Sequence, residues 1–231
     1  MELNGAIGRA PADSQVHAIK IEDLRLTARG KLLLDGFSLE LAPEEKCTIT
    51  GPSGGGKSTL LRCLLGFAAP AAGRVEVEGK RLDVRSVWRL RRRIAWVAQE
   101  PELGEGTARE AIERPFSYKA NRAIRGNLER TSELAKRFLL DAGVFDQPVS
   151  RLSGGEKQRV ALIVALLLDR PILLLDEASS ALDAESRAAV RDYLAGLERT
   201  TILSVAHDPQ NFALGSRLVE LPAAGGAHGA A

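Results

Sequence analysis

The sequence predicts an α/β protein built on a largely parallel β-sheet, and two patterns support this prediction. Four short apolar runs are typical of buried strands, because they lack the polar alternation of a sheet that faces water on one side. Helical spacing separates several of these runs, and strands that alternate with helices form a parallel sheet. The apolar runs are 46–50, 94–98, 172–175 and 201–206, and the helical segments are 57–65, 156–168 and 184–197.

The rest of the chain divides into a strand-rich first third and a helical middle. Alternating residues at 19–26, 32–41 and 74–78 predict half-buried strands, with turn signals at Arg29-Gly30 and Ala72-Gly73. From 107 to 149 the pattern is helical, with breaks at Pro115 and Pro148 and no convincing strand, which predicts a separate helical lobe. The two ends, 1–16 and 222–231, hold few large apolar residues and are predicted to be flexible tails.

The composition fits one folded unit and excludes several classes of protein. The 231 residues include 32 lysines and arginines against 30 acidic residues, and a net charge of +2 gives no support to general binding of nucleic acid or anionic membranes. The longest apolar run, 160–168, is too short to cross a bilayer, which takes about 20 residues. The two cysteines do not indicate a disulfide framework, and the N-terminus lacks the pattern of a secretion signal. We therefore expect the protein to lie in a reducing cytoplasm.

A glycine-rich loop lies between the apolar run 46–50 and the helical segment that follows it. It matches the pattern G-x-x-x-x-G-K-[ST], whose backbone N–H groups surround the β-phosphate of a nucleoside triphosphate. Lys57 supplies a mobile charge for the β- and γ-phosphates, and Ser58 places its hydroxyl on Mg²⁺. A plain glycine-rich turn before a helix is the alternative. The predicted nucleotide contacts are Gly51, Ser53, Gly54, Gly55, Gly56, Lys57, Ser58 and Thr59.

Two carboxylates end the apolar run 172–175, as expected where a buried strand emerges at the carboxyl edge of a sheet. Asp176 is expected to orient Mg²⁺ through water, and Glu177 to polarise the water that attacks the γ-phosphate. A solvated strand end is the alternative, since acidic residues often follow strands. The phosphate loop in the same chain favours the catalytic interpretation.

The segment Leu152-Ser-Gly-Gly-Glu-Lys-Gln-Arg159 contains a second glycine loop that opens a helix, and such a loop is another site for an anion. One monomer does not need two such loops for a single triphosphate. With this motif the chain resembles, over residues 19–221, the nucleotide-binding domain of ABC transporters. The resemblance implies a P-loop NTPase (RecA-like) core with an N-terminal antiparallel β-subdomain and an inserted α-helical subdomain. This domain is expected to span 17–221, with the insertion at about 104–150.

The same resemblance implies a composite site between two subunits. Ser153, Gly154 and Gly155 are implied to contact the γ-phosphate held by the phosphate loop of the other subunit. Two ATP molecules would then join a head-to-tail homodimer. Asp183, in the turn Ser180-Ala-Leu-Asp183, is implied to organise the dimer interface.

Two further catalytic residues are implied in the same way. Gln99, at the end of the run 94–98, is implied to bind Mg²⁺ and to sense a membrane partner. His207, at the end of the run 201–206, is implied to hold the γ-phosphate against Glu177. ATP and Mg²⁺ are therefore the expected cofactors.

Two positions depart from the family pattern, and one cluster invites another interpretation. The stretch 26–30 lacks the usual aromatic residue that stacks on adenine, and Arg29 is expected to pack its guanidinium over the base instead. Glu44 stands at a turn position where the family commonly has glycine. The arginines at 85–93 around Trp88 offer a patch for nucleic acid, but the net charge and the resemblance favour a solvated helix face, so no nucleic-acid partner is expected.

The function implied is an ATP-hydrolysing subunit that powers a separate membrane permease docked near Gln99 to Thr107. Such a subunit would lie on the cytoplasmic face of the inner membrane. The spacing from Gln99 to Leu152, 152 − 99 = 53 positions, leaves no room for a long coiled coil and argues against chromosome-organising and DNA-repair relatives. The segment 106–115 resembles ATPases of iron- or metal-export pairs. The alternative is a soluble, non-transport ABC ATPase that acts on a macromolecular complex.

Overall fold

The structure is a computed structural model that describes residues 17–207, 212–215 and 217–221. These residues form nine strands, six α-helices and three 3₁₀ segments. The strands are β1 (Ile19–Ala28), β2 (Lys31–Leu41), β3 (Lys46–Thr50), β4 (Ala72–Val77), β5 (Lys80–Arg81), β6 (Ile94–Val97), β7 (Ile172–Asp176), β8 (Thr201–Val205) and β9 (Arg217–Glu220). The α-helices are α1 (Lys57–Leu64), α2 (Val87–Arg91), α3 (Ala108–Ser117), α4 (Thr131–Arg137), α5 (Gly154–Leu167) and α6 (Ala184–Ala195). The 3₁₀ segments are Lys119–Arg130, Ala142–Asp146 and Val149–Arg151.

The first part of the chain forms an antiparallel sheet of four strands in the order β2-β1-β4-β5. The predicted turn at Arg29-Gly30 joins β1 to β2, and both residues have positive φ, 50° and 75°. The strands alternate buried and exposed residues because one face of the sheet packs on the core. β5 has only two residues, which is too short for any periodicity to reveal it.

The second sheet is fully parallel and has the strand order β6-β7-β8-β3-β9. All four apolar runs of the sequence become strands of this sheet, and every residue of β7 and β8 is buried. The sequence missed β9, which lies at the edge and exposes Arg217, Leu218 and Glu220, so no apolar run marks it. The parallel order brings the carboxyl ends of β3, β7 and β8 to one edge of the sheet.

The two faces of the parallel sheet belong to two different hydrophobic clusters. Leu173 and Leu175 pack with α5, α6 and the helical segments, whereas Ile172 and Leu174 pack with α1 and the antiparallel sheet. Because both faces of the sheet are covered, the successive residues 172–175 of β7 are all apolar. The continuous apolar runs of the sequence follow from this arrangement.

The helical lobe lacks strands, as predicted, apart from one isolated bridge between Thr107 and Pro148. Pro115 does not break its helix as expected, because α3 continues to Ser117. The carbonyl of Pro115 is then taken up by the Asn121 side chain, whose Nδ2 donates to it at 2.8 Å. Much of the lobe is 3₁₀ rather than α-helical, and its apolar side chains pack against α5.

The turn expected at Ala72-Gly73 is wrong, because both residues lie inside β4. Gly73 has φ 85°, and a Cβ there would lie 2.4 Å from the Asp23 carbonyl oxygen and 2.5 Å from that of Glu22. The pairing of β1 with β4 also shifts register between Glu22 and Arg25. Glycine is therefore required at this point because the two backbones approach each other closely.

We predict that Gly73→Ala destabilises the chain far more than Gly79→Ala does. Both residues have positive φ, but a Cβ at Gly79 meets nothing within 4 Å, so Gly79→Ala should cost only about 1 kcal/mol. Gly73→Ala adds a backbone clash of roughly 1–3 kcal/mol. Urea unfolding of the two variants measures the difference, and equal losses would contradict the close approach.

Candidate functional site

The phosphate loop joins the carboxyl end of β3 to the N-terminus of α1. Gly51 and Gly56 have φ 142° and 97°, and Gly56 caps α1 in the left-handed conformation. A Cβ at Gly51 would lie 2.9 Å from the Leu221 carbonyl oxygen, and one at Gly56 would lie 3.1 Å from the Cβ of Leu33. The first turn of α1 holds no acidic residue, so the positive end of the helix is not neutralised by its own side chains.

Lys57 is folded back over this loop. Its Nζ donates to the carbonyl oxygens of Gly51 at 2.8 Å and Pro52 at 3.0 Å, and the residue is only 5% exposed. Ser53 and Gly54, in the middle of the loop, are exposed, while Gly55 and Gly56 are buried. Thr59 lies in the first turn of α1 and is half-buried. The charge of Lys57 is thus held at the loop by backbone oxygens.

Ser58 and Asp176 meet across 118 positions of sequence. The Ser58 hydroxyl donates to Oδ1 of Asp176 at 2.8 Å. Asp176 ends β7 and is 3% exposed. Burial raises the pKa of this carboxyl, and the hydrogen bond from Ser58 opposes the rise. The structure therefore joins two of the three residues expected to bind Mg²⁺, whereas the third, Gln99, contacts Glu177.

Glu177 and Gln99 form the next contact along the same sheet edge. The Gln99 Nε2 donates to Oε2 of Glu177 at 3.1 Å. Glu177 has φ 48°, and its N–H donates to the Val205 carbonyl at 3.0 Å at the end of β8. Glu177 thus adopts a left-handed backbone conformation directly after β7, where Asp176 ends the strand.

The glycine loop at Ser153 begins α5 with a complete capping box. The N–H of Glu156 donates to the Ser153 hydroxyl at 3.3 Å, and the Glu156 carboxylate accepts from the N–H of Ser153 at 2.8 Å. The hydroxyl and N–H of Ser153 hold the pKa of Glu156 below its ordinary value. Ser153 and Gly154 are exposed. Among the described residues, no hydrogen bond or ion pair links this loop to the phosphate loop of the same chain.

Asp183 and His207 lie in different settings. Asp183 caps α6, and the N–H of Ser186 donates to its Oδ1 at 2.8 Å, which lowers its pKa together with the Ser186 hydroxyl. His207 follows β8 and is exposed. Within the described part of the chain no hydrogen bond joins His207 to Glu177. The structure thus assembles Ser58, Asp176, Glu177 and Gln99 but does not pair His207 with them.

Ser58 and Asp176 form an oxygen donor set that suits Mg²⁺. Mg²⁺ usually takes one or two protein oxygens and fills its remaining positions with water and substrate phosphates. No cluster of three or more histidine, cysteine or acidic residues suited to a metal occurs in the described ranges. The pair therefore fits a metal that arrives with a nucleotide.

The described stretch 26–30, where the resemblance places the residue that stacks on adenine, holds no aromatic ring. Arg29 lies at the exposed tip of the β1–β2 turn with φ 50°. Phe37, the one aromatic residue in 17–41, is 1% exposed. Leu33, which the sequence did not single out, packs next to Gly56 and joins this hairpin to the phosphate loop. Glu44 also has a positive φ, 69°, and its N–H donates to the Thr201 hydroxyl at 2.8 Å.

Arg85, Arg89, Arg92 and Arg93 are exposed, as expected of a solvated face, but Arg91 and Arg93 also make specific contacts. Arg91 Nε donates to the Leu65 carbonyl at 2.6 Å, and its guanidinium lies over the rings of Phe67 and Trp88 at 4.2 and 4.9 Å. Arg93 makes a two-pronged contact with Glu78, 2.8 Å for each bond. Arg91 thus connects α2 to the end of α1, and Arg93 connects the start of β6 to the turn between β4 and β5.

A groove of about 640 Å³ lies between the end of β6, the segment 100–104 and the helical lobe. Trp96, Ala161 and Val164 give it an apolar lining, and Arg62 and Arg114 add charge. The Trp96 Nε1 is buried and has no hydrogen-bond partner among the described residues. The groove lies where the sequence predicts that a membrane partner docks.

A parallel sheet, a phosphate loop and two acidic residues at one sheet edge define a P-loop nucleoside triphosphatase. The family model described as ABC transporter matches residues 34–180. The chain therefore belongs to the ABC transporter family, and it is an ATP-binding, ATP-hydrolysing cassette of that family. This confirms the resemblance and the fold class that the sequence predicts.

Two curated relatives illustrate the similarity. The mycobactin import ATP-binding/permease protein IrtB of Mycolicibacterium thermoresistibile is 38% identical over 194 residues, which cover 82% of this chain and 34% of that protein. The energy-coupling factor transporter ATP-binding protein EcfA1 of Bacillus subtilis is 33% identical over 215 residues, which cover 89% of this chain and 75% of that protein. The chain spans only 22% to 39% of the length of several relatives, IrtB among them.

Two solved structures share the fold. A dimer of the cassette MJ0796 in a post-hydrolysis state with ADP and Pi has a TM-score of 0.75 at 27% identity, covering 88% of this chain and 94% of that one. A bacterial Atm1-family ABC exporter with ATP bound also has a TM-score of 0.75, at 29% identity, covering 88% of this chain and 37% of that one. Within the described residues, none of the helices combines the length and apolar character needed to cross a bilayer.

We predict that Asp176→Asn stabilises the nucleotide-free chain by about 1 kcal/mol at neutral pH. The folded-state pKa of Asp176 lies above its unfolded value, so its ionisation destabilises the fold as pH rises, and this cost disappears below about pH 4, where both states are protonated. Urea unfolding at about pH 7 and about pH 3, below the unfolded pKa, measures the effect.

The exposed Asp192 on α6 provides the control, because Asp192→Asn should change stability by less than about 0.5 kcal/mol. A stabilisation by Asp176→Asn that persists unchanged at low pH would contradict burial of the charge as its cause.

Proposed function

We propose that this chain hydrolyses ATP at a site closed by a second copy of itself and thereby powers a separate membrane permease. The observation that carries the proposal is the pair of contacts at one sheet edge, Ser58 to Asp176 and Gln99 to Glu177. We further propose that 17–221 form one nucleotide-binding domain, with the helical subdomain inserted at about 104–150.

The phosphate loop binds the triphosphate in this proposal. The N–H groups at the start of α1 and the charge of Lys57 face the β- and γ-phosphates, and residues 51–59 supply the contacts. Lys57 then exchanges its two carbonyl acceptors for phosphate oxygens. Arg29 contacts the base in place of an aromatic ring.

Glu177 acts on the attacking water. Once Gln99 turns from Glu177 toward the γ-phosphate, the Glu177 carboxylate is free to accept a proton from that water. Ser58 and Asp176, with Gln99 nearby, would hold Mg²⁺, which would supply positive charge to the phosphates. His207 holds the γ-phosphate against Glu177 after a rearrangement that brings it to the site.

The loop at Ser153 serves the other subunit. The exposed N-terminus of α5 offers N–H groups that this chain's own phosphate loop does not use. The Ser153 hydroxyl exchanges its bond to the Glu156 carboxylate for one to the neighbour's γ-phosphate. The dimeric cassette with ADP and Pi, whose fold this chain shares, supports the two-fold arrangement. Ser153, Gly154 and Gly155 thus complete the site of the neighbour.

The permease docks in the groove beside Gln99 to Thr107, on the cytoplasmic face of the inner membrane. The apolar lining of the groove and its position directly after Gln99 support this placement. The narrower prediction of iron or metal export rests mainly on the resemblance of the residues at 106–115, taken together with the segment 152–159. The relatives named above include an importer and an exporter, so their names favour neither direction.

We predict that Glu177→Gln keeps ATP affinity, lowers turnover at least about 100-fold and accumulates an ATP-bound dimer. Lys57→Ala should instead weaken ATP binding itself, because a charge that acts in both the ground state and the transition state is lost. Equilibrium nucleotide binding, turnover and size-exclusion chromatography with ATP separate the two cases.

The exposed residues Glu185 and Lys80 provide matched controls, and Glu185→Gln and Lys80→Ala should behave like the unchanged chain. Wild-type turnover in Glu177→Gln would remove Glu177 from the role of base.

We predict that the tagged chain, extracted from its own cells in mild detergent, carries a multi-span membrane protein with it. Glu102→Arg, which reverses an exposed charge in the groove, should lower the recovery of that protein at least about tenfold. Glu113→Arg, on the exposed side of α3 and outside the groove lining, is the control. Recovery of ribosomes or nucleic acid without a membrane protein would instead favour the soluble, non-transport alternative.

A further inference from the structure

Two adjacent side chains of α5, Gln158 and Arg159, reach in different directions to two loops of the site. Gln158 is fully buried, and its Nε2 donates to the Ala98 carbonyl at 3.3 Å. Ala98 directly precedes Gln99, whose amide contacts Glu177. The helix that begins at the Ser153 loop is therefore tied to the end of β6 that carries Gln99.

Arg159 makes the second connection. Its Nη1 donates to the Ser186 hydroxyl at 2.5 Å and lies 3.7 Å from Oδ2 of Asp183, while its side chain is only 13% exposed. The Ser186 hydroxyl donates in turn to Oδ2 of Asp183 at 2.8 Å. Arg159 thus ties α5 to the cap of α6 and to the turn 180–183.

The loop and the turn also touch through their backbones. A Cβ at Gly155 would lie 2.9 Å from the Ala181 carbonyl oxygen, and one at Gly154 would lie 3.5 Å from the Ala181 Cβ. The turn 180–183 therefore cannot shift far without moving the loop 153–155. Because Gly154 and Gly155 have no side chains, the two segments pack closely enough to move together.

Both connecting side chains keep one polar atom unused. The Gln158 Oε1 and the Arg159 Nε are buried and have no hydrogen-bond partner within the described ranges. Apolar residues would fill these places at lower cost if packing were their only task. The unpaired Arg159 Nε and Gln158 Oε1 lie where α5 meets the end of β6 and the turn 180–183. Each could form a hydrogen bond in a second conformation of these segments.

We propose that Gln158 and Arg159 are positioning residues that couple the chain's own Gln99–Glu177 contact to the loop 153–155 and the turn 180–183 that it offers to a second copy. When Gln99 leaves Glu177, the Ala98 carbonyl moves with it, Gln158 passes this movement to α5, and Arg159 carries it to Asp183. Occupancy of one site then sets the geometry that the chain presents to the other. The inference rests on the proposed composite site.

The test measures dimer formation in a Glu177→Gln parent with saturating ATP. Gln158→Leu and Arg159→Lys each remove one connection but keep side-chain size or charge. We expect ATP affinity of the dilute chain to stay within about twofold, and the chain concentration for half-dimerisation to rise at least about tenfold. Gln147→Leu, at an exposed position, and Arg191→Lys, at a half-buried position whose ion pair with Asp192 the lysine can keep, are the matched controls and should dimerise like the parent.

Turnover in the chain with Glu177 intact provides a second measurement. Gln158→Leu should lower kcat without changing KM for ATP, and adding it to Gln99→Ala should lower turnover no further, because Gln158 acts through the position of Gln99. Additive losses would assign Gln158 a role in packing alone and overturn its part in the coupling.

Ser186→Ala removes the acceptor of Arg159 from the opposite side and covers the case in which Arg159→Lys fails to fold. Variants that keep the parent's thermal midpoint and dimerise at the parent's concentration would overturn the inference while leaving the composite site intact. If the Glu177→Gln parent itself stays monomeric with ATP, the composite site fails, and the inference fails with it.

Discussion

Because β7, β8 and β3 lie side by side and run parallel, the residues that follow them meet at one edge of the sheet. That edge receives the phosphate loop from β3, Asp176 and Glu177 from β7, and the carbonyl of Val205 from β8. β6 adds Gln99 from the other side of β7. Any exchange in strand order would separate these groups, so the chemistry of the site depends on the pairing of buried strands that carry no chemistry themselves.

The nucleotide-free site satisfies its polar groups internally. Lys57 donates to backbone carbonyls of the loop, Ser58 to Asp176, and Gln99 to Glu177. The contacts of Lys57 and Asp176 remove the cost of a buried unpaired group, whereas the Gln99–Glu177 bond is exposed. A bound nucleotide would exchange each of the three contacts for phosphate, metal or water. The raised pKa of Asp176 shows that this arrangement is not optimised for stability, because the cost of burying the carboxylate outweighs the Ser58 hydrogen bond and the charges of Arg62 and Lys57.

Helix α5 connects the helical lobe to the parallel sheet. Val160, Ile163 and Leu167 anchor it in the same hydrophobic cluster as the helical lobe and one face of the sheet. Its polar first turns hold the Ser153 loop, Ala98 and the cap of α6. A helix buried on most sides has little amphipathic pattern, which is why the sequence indicates that α5 is helical but not what it contacts.

The sequence by itself determined the four buried strands, the phosphate loop, the acidic pair, the Ser153 loop and their order, because each depends on a local pattern of residue types. It failed at Pro115, which lies in the last turn of α3, and at Gly73 and β9, where a close backbone approach and edge pairing decide the outcome. Only the tertiary structure decided that Ser58 meets Asp176, that Gln99 meets Glu177, and that Gln158 and Arg159 tie three loops together. These contacts join residues up to 118 positions apart, and sheet order and close packing bring them together, which no local pattern encodes.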